Sequence, residues 1–501
     1  MGKQFFYERQ YKGLIPSGKF PRYAGPFLRG RGKTLKIETD YLVVGCGASA
    51  MAFVDAMLDN SDATITIVDR RHAPGGHWND AYPFVRLHQP SSYYGVSSRP
   101  LGRGQKDERG YNKGFYELAS GTEVANYFHE LMRDSFLTSG RVTYHPMSDY
   151  RGNGEFASLL SGRRHKVDIR KKLVDATVLN TNIPLTHERK FEVAEGLVCI
   201  PPNHLPRMAP DHQRFAIIGA GKTAIDSITW LLENGAAPEA LSWILPRDPW
   251  FINRAYVQPG MEFFEQTFGG LATQYEIWAS AASEQELCER MEAAGIWLRI
   301  DKGIWPSMFH AATLSEAELE QLRRVPNMIR KGYVQRIEAD RIILDGGDVA
   351  SAADTLFVDC TARALAHNVN SKTPVFTPDK ISLQMVRGYQ PTFSAALIGR
   401  IEATISDEEE KTRITRPTPM TDTVEDWISM QAASLSNQIQ WVQNGELIAW
   451  MNNCRLDGFG STLAQIEQPT PEISAILGRV MANSLPAKQN LQQLAKTRSS
   501  E

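Results

Sequence analysis

The chain has 501 residues, of which 42% are hydrophobic and 22% charged, a composition typical of a globular protein with two or three domains. Its formal net charge of −2 gives no electrostatic reason to expect nucleic acid or an acidic membrane surface as a partner. Five scattered cysteines form no C-x-x-C pair, which argues against a disulfide framework, a zinc site and a redox dithiol. We therefore expect a cytoplasmic protein without a bound metal, and no apolar run is long enough to predict a membrane span.

The N-terminal segment, residues 1–36, is rich in basic residues, glycine, proline and aromatic residues. It lacks the apolar stretch of a secretory signal. We predict an irregular arm that either wraps onto the body of the protein or is a simple terminal extension.

A β-α-β unit follows this arm. Residues 41–44 form a short apolar run that predicts a buried parallel strand, residues 48–58 predict a helix, and residues 63–68 predict a second strand. The turn between the first strand and the helix has the pattern G-x-G-x-x-A. Strand, glycine turn and helix in this order predict a dinucleotide-binding unit.

The residue types of this turn suit a pyrophosphate. Gly45 permits the tight turn, Gly47 lets the backbone N–H groups approach the phosphates, and Ala50 lets the helix pack closely on the strand. Asp69, at the end of the second strand, can accept both ribose hydroxyls and would repel a 2′-phosphate, so the site suits FAD or NAD rather than NADP. The predicted cofactor-binding residues here are Gly45, Gly47, Ala48, Ser49, Ala50, Asp69 and Arg70.

The glycine pattern recurs at Gly219, Gly221 and Ala224, between a predicted strand at 215–218 and a predicted helix at 222–233. The next strand, 241–245, ends at Arg247 instead of an acid, and a guanidinium there can pair with a 2′-phosphate. We therefore predict NADPH at this second site. The alternative is that Arg247 is a simple surface residue and that Asp248 holds the ribose of NADH. Lys222 and Thr223, which begin the helix, complete the predicted contacts.

The remaining chain is assigned by pattern. Residues 71–120 predict a long functional loop, 123–136 a helix, 141–198 short strands, and 250–330 an insertion or cap with helices at 284–293 and 315–322. Strands are predicted at 342–344 and 355–358, a solvated acidic loop at 407–410, and a core-facing helix from Val424 to Gly445 begun by a capping box at Thr423.

A G-G-x-W sequence at Gly75, Gly76, His77 and Trp78 follows the first β-α-β unit. With the two glycine turns in this order, the chain resembles the flavin-containing monooxygenases and their Baeyer–Villiger and N-hydroxylating relatives over residues 38–400. The resemblance implies an α/β fold of two Rossmann-like domains, for FAD and NADPH. The C-terminal hundred residues do not match that family, and their own pattern predicts a helical region. The resemblance also implies that Gly76, His77 and Trp78 lie near the flavin, and that Thr361 and Ala362 lie where the chain returns to the FAD domain.

Two motifs depart from that family. The signature F-x-G-x-x-x-H before the second glycine turn is absent, and the T-N-x-P motif is replaced by residues 87–90, which places His88 at the position of an asparagine that contacts the flavin edge. His88 is the predicted catalytic residue, because a histidine can relay a proton or donate a hydrogen bond to a flavin-bound oxygen. The alternative is a structural histidine. Gln89, the second predicted catalytic residue, could hold the substrate or the nicotinamide.

These observations predict an FAD-dependent NADPH oxidoreductase that uses O2 on the nitrogen or sulfur of a small molecule. A reductase or oxidase without oxygenation, and a redox sensor or scaffold without turnover, remain alternatives, and a homodimer is possible. The predicted domains are the arm at 1–36, the FAD domain at 37–205, the NADPH domain at 206–345, the return to the FAD domain at 346–400 and the helical region at 401–501.

Overall fold

The structure, a computed structural model, describes residues 35–179, 181–362 and 373–497. The predicted arm lies outside the described residues except for positions 35 and 36, which begin the first strand. The strands are β1 Leu35–Val44, β2 Ile65–Val68, β3 Val142–His145, β4 Ser148–Gly152, β5 Glu155–Ser158, β6 Arg164–Asp175, β7 Glu192–Val193, β8 Cys199–Ile200, β9 Arg214–Ile218, β10 Leu241–Ile244, β11 Phe251–Asn253, β12 Trp297–Leu298, β13 Thr313–Leu314, β14 Asn327–Ile329, β15 Val334–Ile337, β16 Arg341–Leu344, β17 Val349–Ala350, β18 Thr355–Asp359 and β19 Lys380–Ser382.

The α-helices alternate with these strands at first and then dominate the C-terminal region. They are α1 Ala48–Asn60, α2 Gly121–Leu131, α3 Leu205–Met208, α4 Lys222–Glu233, α5 Phe264–Ser280, α6 Glu284–Ala293, α7 Glu316–Arg323, α8 Pro391–Thr404, α9 Glu408–Ile414, α10 Val424–Trp441, α11 Gly445–Asn453, α12 Gly458–Leu463 and α13 Pro471–Thr497. Among the described residues, no helix combines the length and apolarity that crossing a membrane requires.

The first sheet has the strand order β3-β2-β1-β6-β5-β4, with β19 also paired to β6. Its strands β3, β2, β1, β6 and β19 run parallel, and β4 and β5 add an antiparallel edge. Helix α1 is apolar on nearly every side because it is sandwiched between this sheet and helix α8. The unit β1-α1-β2 is therefore the predicted first dinucleotide-binding unit.

The second sheet is parallel throughout, with the order β14-β10-β9-β18-β8. Its unit β9-α4-β10 is the predicted second dinucleotide-binding unit, so the α/β fold with two Rossmann-like domains is confirmed. Strand β8 pairs with β18 in the second sheet, and β7 pairs with β15 in a separate small sheet. Because β18 lies beside β9, the chain returns to the first sheet only at β19, and the predicted domain boundaries stay a prediction.

The insertion and the C-terminal helices form one cap. The segment between β10 and β14 contains a small sheet, β12-β11-β13, and helices α5, α6 and α7. Its core includes Trp278 and Trp297, which pack on Trp427 of α10, while Ala487 and Leu491 of α13 complete the cluster. The sequence predicted the insertion, but not that the last helices would share its core.

The structure confirms the start of the predicted helix at Thr423 but not the predicted loop at 407–410. Helix α10 starts with the predicted capping box, in which Thr423 and Asp426 exchange hydrogen bonds, although it ends at Trp441, before Gly445. The acidic run at 407–410 is the start of α9 and not a solvated loop. Asp407 caps that helix, and Glu408 binds Lys172 at 2.7 Å, so these carboxylates are held by hydrogen bonds and a buried lysine.

Candidate functional site

Both glycine turns open into one cavity of about 1670 Å³. Gly45, Gly47, Ala48 and Ser49 line it from the first domain, and Gly219, Gly221, Lys222 and Thr223 line it from the second. The carboxyl ends of both parallel sheets therefore face a common space, which is where open α/β sheets hold ligands.

The first glycine turn depends on a second pair of glycines. The Gly45 N–H donates to the Val68 carbonyl at 2.8 Å with φ at +97°, which closes the tight turn. Gly76, at φ +60°, lies so close to Gly47 that a Cβ on Gly76 would stand 2.8 Å from the Gly47 Cα. The Gly75 N–H donates to the Cys46 carbonyl at 2.8 Å. The G-G-x-W segment thus forms the outer wall of the first glycine turn, and a side chain at Gly76 would displace it.

Asp69 holds this turn in shape. One carboxylate oxygen accepts from the Cys46 N–H at 2.5 Å and the other accepts from the Arg71 N–H at 2.6 Å. Burial raises the pKa of Asp69, and the two backbone hydrogen bonds oppose that rise. Asp69 lines the cavity, and each of its carboxylate oxygens has a second lone pair. Both oxygens can therefore still accept a hydrogen bond from a ligand hydroxyl.

The structure places one predicted residue of this site, Arg70, away from the cavity. The Arg70 side chain is 70% exposed, contacts Asp149 and does not line the cavity. Arg71 lines it instead and donates to Asp80 at 2.9 Å. Side chains alternate between two faces only within a strand. Because β2 ends at Val68, this alternation could not predict which way Arg70 and Arg71 point.

The predicted aromatic contacts of G-G-x-W also face the cavity. The His77 and Trp78 rings stack with their centroids 5.2 Å apart, and the Trp78 indole N–H donates to the Tyr94 hydroxyl at 2.7 Å. Burial lowers the pKa of His77 to about 4, with the nearby Arg71 charge acting in the same direction. All three rings are therefore neutral, and the residues that carry them line the cavity.

The second glycine turn is held by the end of β18. Gly219 has φ +129°, and a Cβ there would stand 2.6 Å from the Cys360 carbonyl oxygen. Gly221 has open space where its Cβ would be, on the side of the cavity. Ala224, like Ala50 in the first unit, is fully buried and lies outside the cavity lining, which matches the predicted packing role.

Lys222, at the start of α4, does not present a free charge. Its ammonium contacts the Asp226 carboxylate, which also accepts from the Tyr82 hydroxyl at 2.7 Å. Burial raises the pKa of Asp226, and the Lys222 ammonium counteracts that rise. Thr361 and Ala362 line the cavity beside this helix, and the Thr361 hydroxyl lies 3.2 Å from the His187 ring.

Arg247 lines the cavity and is bound to the C-terminal region. Its two terminal nitrogens donate to both oxygens of Asp422 at 2.7 and 3.0 Å, and His310 lies 2.8 Å from the same carboxylate. The alternative ribose ligand, Asp248, is buried, accepts two hydrogen bonds from Arg330 and does not line the cavity. The structure thus favours Arg247 over Asp248 as the residue that could contact a nucleotide.

His88 and Gln89 both line the cavity. The His88 Nδ1 accepts from the Thr313 N–H at 3.2 Å, and its carbonyl accepts from Arg254 at 3.1 Å. Burial, together with the Lys222 and Arg254 charges, lowers the pKa of His88 to about 3. A neutral ring that accepts at Nδ1 carries its proton on Nε2, so His88 can donate one hydrogen bond but is a poor proton relay near neutral pH.

The low pKa of His88 predicts a pH-dependent stability. The unfolded chain protonates His88 below its ordinary value of 6.5, whereas the folded chain resists protonation down to about 3. The free energy of unfolding should therefore fall as the pH drops from 6.5 towards 3, by at most about 1.4 kcal/mol per pH unit from this residue. In His88→Asn, chemical denaturation across this range should give a shallower slope. Equal slopes for both proteins would contradict the assignment.

Sequence reasoning missed two buried ion pairs at the site. Arg254 is fully buried, contacts Glu318 at 2.6 Å and fixes the His88 segment through its carbonyl. Arg387 contacts Asp457 at 3.0 Å, and both line the cavity. Glu318 belongs to a capping box with Ser315, but that motif does not indicate its pairing with Arg254. The partners of both pairs are far apart in sequence, so only the folded chain identifies the pairs.

Known proteins were compared with this chain by sequence and by structure. A scan against protein-family models finds no match. The uncharacterized proteins Rv2000 of Mycobacterium tuberculosis and Mb2023 of Mycobacterium bovis are each 43% identical to the chain over 427 residues, which cover 85% of this chain and 79% of theirs. This chain belongs to their family.

Solved structures with similar folds include oxygenases. The polycyclic ketone monooxygenase of Thermothelomyces thermophila is 11% identical, with 94% of this chain and 89% of that one covered, at a TM-score of 0.47. The flavin-containing monooxygenase of Stenotrophomonas maltophilia is 15% identical, with 73% and 97% covered, at 0.41. The S-allyl-L-cysteine S-oxygenase of Allium sativum is 12% identical, with 93% and 99% covered, at 0.40. At such identities and TM-scores, function has to be argued from the site itself.

Proposed function

We propose that the protein is an FAD-dependent NADPH oxidoreductase that oxygenates a small molecule with O2. The observation that carries this proposal is the common cavity: two dinucleotide-type glycine turns, on separate parallel sheets, open into the same space. A chain that holds two such turns face to face has the arrangement needed to pass electrons between two bound dinucleotides.

The first turn fits FAD. Its helix N-terminus is free of acidic side chains, the backbone at Gly47 is accessible from the cavity, and Asp69 is positioned to accept ribose hydroxyls. Trp78 and Tyr94 supply a neutral aromatic wall, which suits a flat ring system. When bound, the flavin would take a hydride from the nicotinamide and supply the electrons that activate O2.

The second turn fits NADPH. The N-terminus of α4 faces the cavity, and Arg247 lies beyond the end of β10, where the adenosine ribose of a dinucleotide is read. A guanidinium favours a 2′-phosphate, and Asp248, the acid that could have favoured NADH, is turned away to Arg330. These placements support NADPH as the reductant.

The residues of the chain would position the reactants and provide a partly apolar wall. His88 offers a neutral Nε2–H donor, held in place by Thr313 and Arg254, and Gln89 adds an amide on the same segment. Apolar side chains of the cap helices line part of the cavity, and an apolar wall limits the contact of reactive oxygen chemistry with water. These features favour oxygenation over simple release of electrons to an external acceptor.

A stoichiometry experiment tests the proposal. The purified protein, saturated with FAD, should be yellow, consume NADPH faster than NADH, and consume one O2 per NADPH while a suitable substrate is oxygenated and little peroxide accumulates. Release of one peroxide per NADPH with every candidate substrate would identify an oxidase instead of a monooxygenase. Reduction of an artificial acceptor without O2 uptake would identify a reductase. Failure of both nicotinamides to bleach the flavin would leave a nucleotide-binding scaffold.

A further inference from the structure

Helix α13 consists of two halves that are packed differently. The structure describes every residue of the first half, 471–485, and none of these residues is buried. In the second half, Ala487 and Leu491 are fully buried in the tryptophan-rich core of the cap. One continuous helix therefore has an anchored half and a half that remains in contact with solvent along its whole length.

The two halves also contact α5 in different ways. In the second half, the Asn490 amide donates to the carbonyls of Trp278 and Ala281 at 2.9 and 2.8 Å, which ties it to the end of α5. In the first half, Arg479 pairs with Glu276 at 2.7 Å, and both of these side chains are exposed. Exposed ion pairs contribute little because water screens them, so the first half is the more weakly held.

A proline stands at the boundary between the halves. Pro486 directly precedes Ala487, the first buried residue of the helix. It has no N–H to donate to the Ala482 carbonyl one turn earlier, and its ring crowds that carbonyl, so the helix is weakest at this point. At the other end, residues 464–470 connect α12 to α13 without a helix or strand and are mostly exposed. The first half therefore lies between two points at which the backbone can bend.

The first half forms a wall between the cavity and solvent. One of its faces lines the cavity, with the three- and four-residue spacing of a single helical face, at Leu477, Val480, Met481 and Ser484. Met481 is 77% exposed although it lines the cavity, so it stands at the edge of this wall. Displacement of residues 471–485 would therefore open a passage into the cavity.

We propose that residues 471–485 form a lid that swings about Pro486 and controls the passage of small molecules between solvent and the cavity. The structure describes the seated position, in which the lid lies along α5. A segment with few buried contacts opens at a low free-energy cost, while the anchored half keeps its place. The inference goes beyond the proposed function, because it requires only that the cavity is a ligand site.

Hydrogen–deuterium exchange of the FAD-saturated protein tests whether the two halves behave differently. The backbone amides of 476–485 should exchange at least about tenfold faster than those of 488–495. The reason is that a helix of this length is only marginally stable once it leaves its seat, whereas the second half is protected by the core of the cap. Equal rates in both halves would mean that α13 moves as one unit and would overturn the inference.

A cysteine placed inside the cavity reports the opening of the lid. Ser434→Cys is a nearly isosteric change at a residue of α10 that lines the cavity and is 2% exposed. Its reaction with methyl methanethiosulfonate, a small neutral reagent, should be limited by lid opening. Val442→Cys is the matched control, because Val442 lines the cavity at the end of the same helix but is 64% exposed. The parent protein, whose cysteines are buried apart from the half-buried Cys199, gives the background rate.

Pro486→Ala should slow the labelling of Ser434→Cys by at least about fivefold. The alanine supplies the missing N–H to the Ala482 carbonyl, so the helix is stiffer and the lid stays seated. Pro471→Ala is the matched control, because Pro471 is the first residue of the same helix, where no hydrogen bond within the helix is lost. Labelling that is as fast in Pro486→Ala as in the parent hinge would overturn the inference.

Arg479→Ala should have the opposite effect and accelerate the labelling of Ser434→Cys by roughly 1.5- to 5-fold, because it loosens the seat of the lid on α5. Arg290→Ala is the matched control, since it breaks a similarly exposed pair with Glu286 inside α6. Arg479→Ala keeps the native hinge and therefore tests the lid even where Pro486→Ala folds poorly. Equal acceleration by both arginine variants would indicate a general loosening of the cap and reject the lid.

These measurements separate the lid from the proposed function. Fast exchange of the first half and labelling that depends on Pro486, without any NADPH oxidation, would retain the lid and reject the monooxygenase. Coupled consumption of NADPH and O2, with labelling that is indifferent to Pro486 and Arg479, would retain the monooxygenase and reject the lid.

Discussion

Gly76→Ala should weaken flavin binding by roughly 100-fold while the chain still folds. The new Cβ would stand 2.8 Å from the Gly47 Cα, and neither backbone can yield without opening the first glycine turn. Overpacking of this kind costs up to about 3 kcal/mol, which corresponds to roughly 100-fold in the Kd of FAD. The measurement is a titration of the apoprotein with FAD, followed by flavin fluorescence. Because the clash affects the loop rather than the core, thermal unfolding of the apoprotein should change little beyond the cost of backbone strain.

Gly104→Ala provides the matched control for that strain. Gly104 has φ +68°, close to the +60° of Gly76, but a Cβ there meets no heavy atom within 4 Å. Both variants should lose about 1 kcal/mol of stability from the left-handed backbone, and only Gly76→Ala should lose affinity for the flavin. Unimpaired FAD binding by Gly76→Ala would mean that the G-G-x-W segment does not shape the cofactor site.

Arg247→Ala should raise the KM for NADPH far more than the KM for NADH. Charge-assisted hydrogen bonds to a phosphate contribute about 1.5–3 kcal/mol, so we expect roughly a 10- to 100-fold rise for NADPH. Asp422→Asn should have the opposite effect, because the Asp422 carboxylate occupies both terminal nitrogens of Arg247 and competes with the 2′-phosphate for them. Steady-state kinetics with both nicotinamides give the two ratios.

A double variant and a control variant test whether Arg247 itself distinguishes NADPH from NADH. In an Arg247→Ala background, Asp422→Asn should no longer change the ratio of NADPH to NADH, because the competition has been removed. Arg330→Ala breaks the similar bidentate pair with Asp248, which does not line the cavity, and should leave that ratio unchanged. Similar KM changes for both nicotinamides in Arg247→Ala would show that this residue does not read the phosphate.

Most of the fold could be predicted because local signals and tertiary structure agree. The predicted helices at 222–233 and 284–293 match α4 and α6 residue for residue, since both have a one-sided apolar pattern. Helix α6 also begins with a serine cap, Ser283. The capping box at Thr423 and the short parallel strands were equally readable. Elements of this kind depend on their own sequence and on burial in a single core.

The errors share a physical cause, which is dependence on distant residues. The pattern of β18 could not assign it to one sheet, because only its pairing with β9 places it in the second sheet. The acidic run at 407–410 was predicted as a loop, whereas it begins helix α9, where Lys172 of the distant strand β6 binds Glu408. Asp422 and Arg387 could not be assigned to the site for the same reason: their partners are distant in sequence.

The candidate site was predicted better for backbone than for side chains. Glycines at Gly45, Gly47, Gly219 and Gly221 are recognised by spacing, and the structure places all four at the cavity. Side-chain orientation after a strand end is not encoded in spacing, which is why Arg70 was chosen where Arg71 lines the cavity. That these residues contact a cofactor stays a prediction.

The central claim is that the cavity brings a nicotinamide bound at the second turn to a flavin bound at the first. Anaerobic rapid mixing of the FAD-saturated protein with NADPH, deuterated in turn on each face of the nicotinamide, tests it most directly. We expect loss of the oxidised flavin absorbance and a primary isotope effect for one of the two faces. Saturable binding of NADPH with the flavin left oxidised would contradict the account.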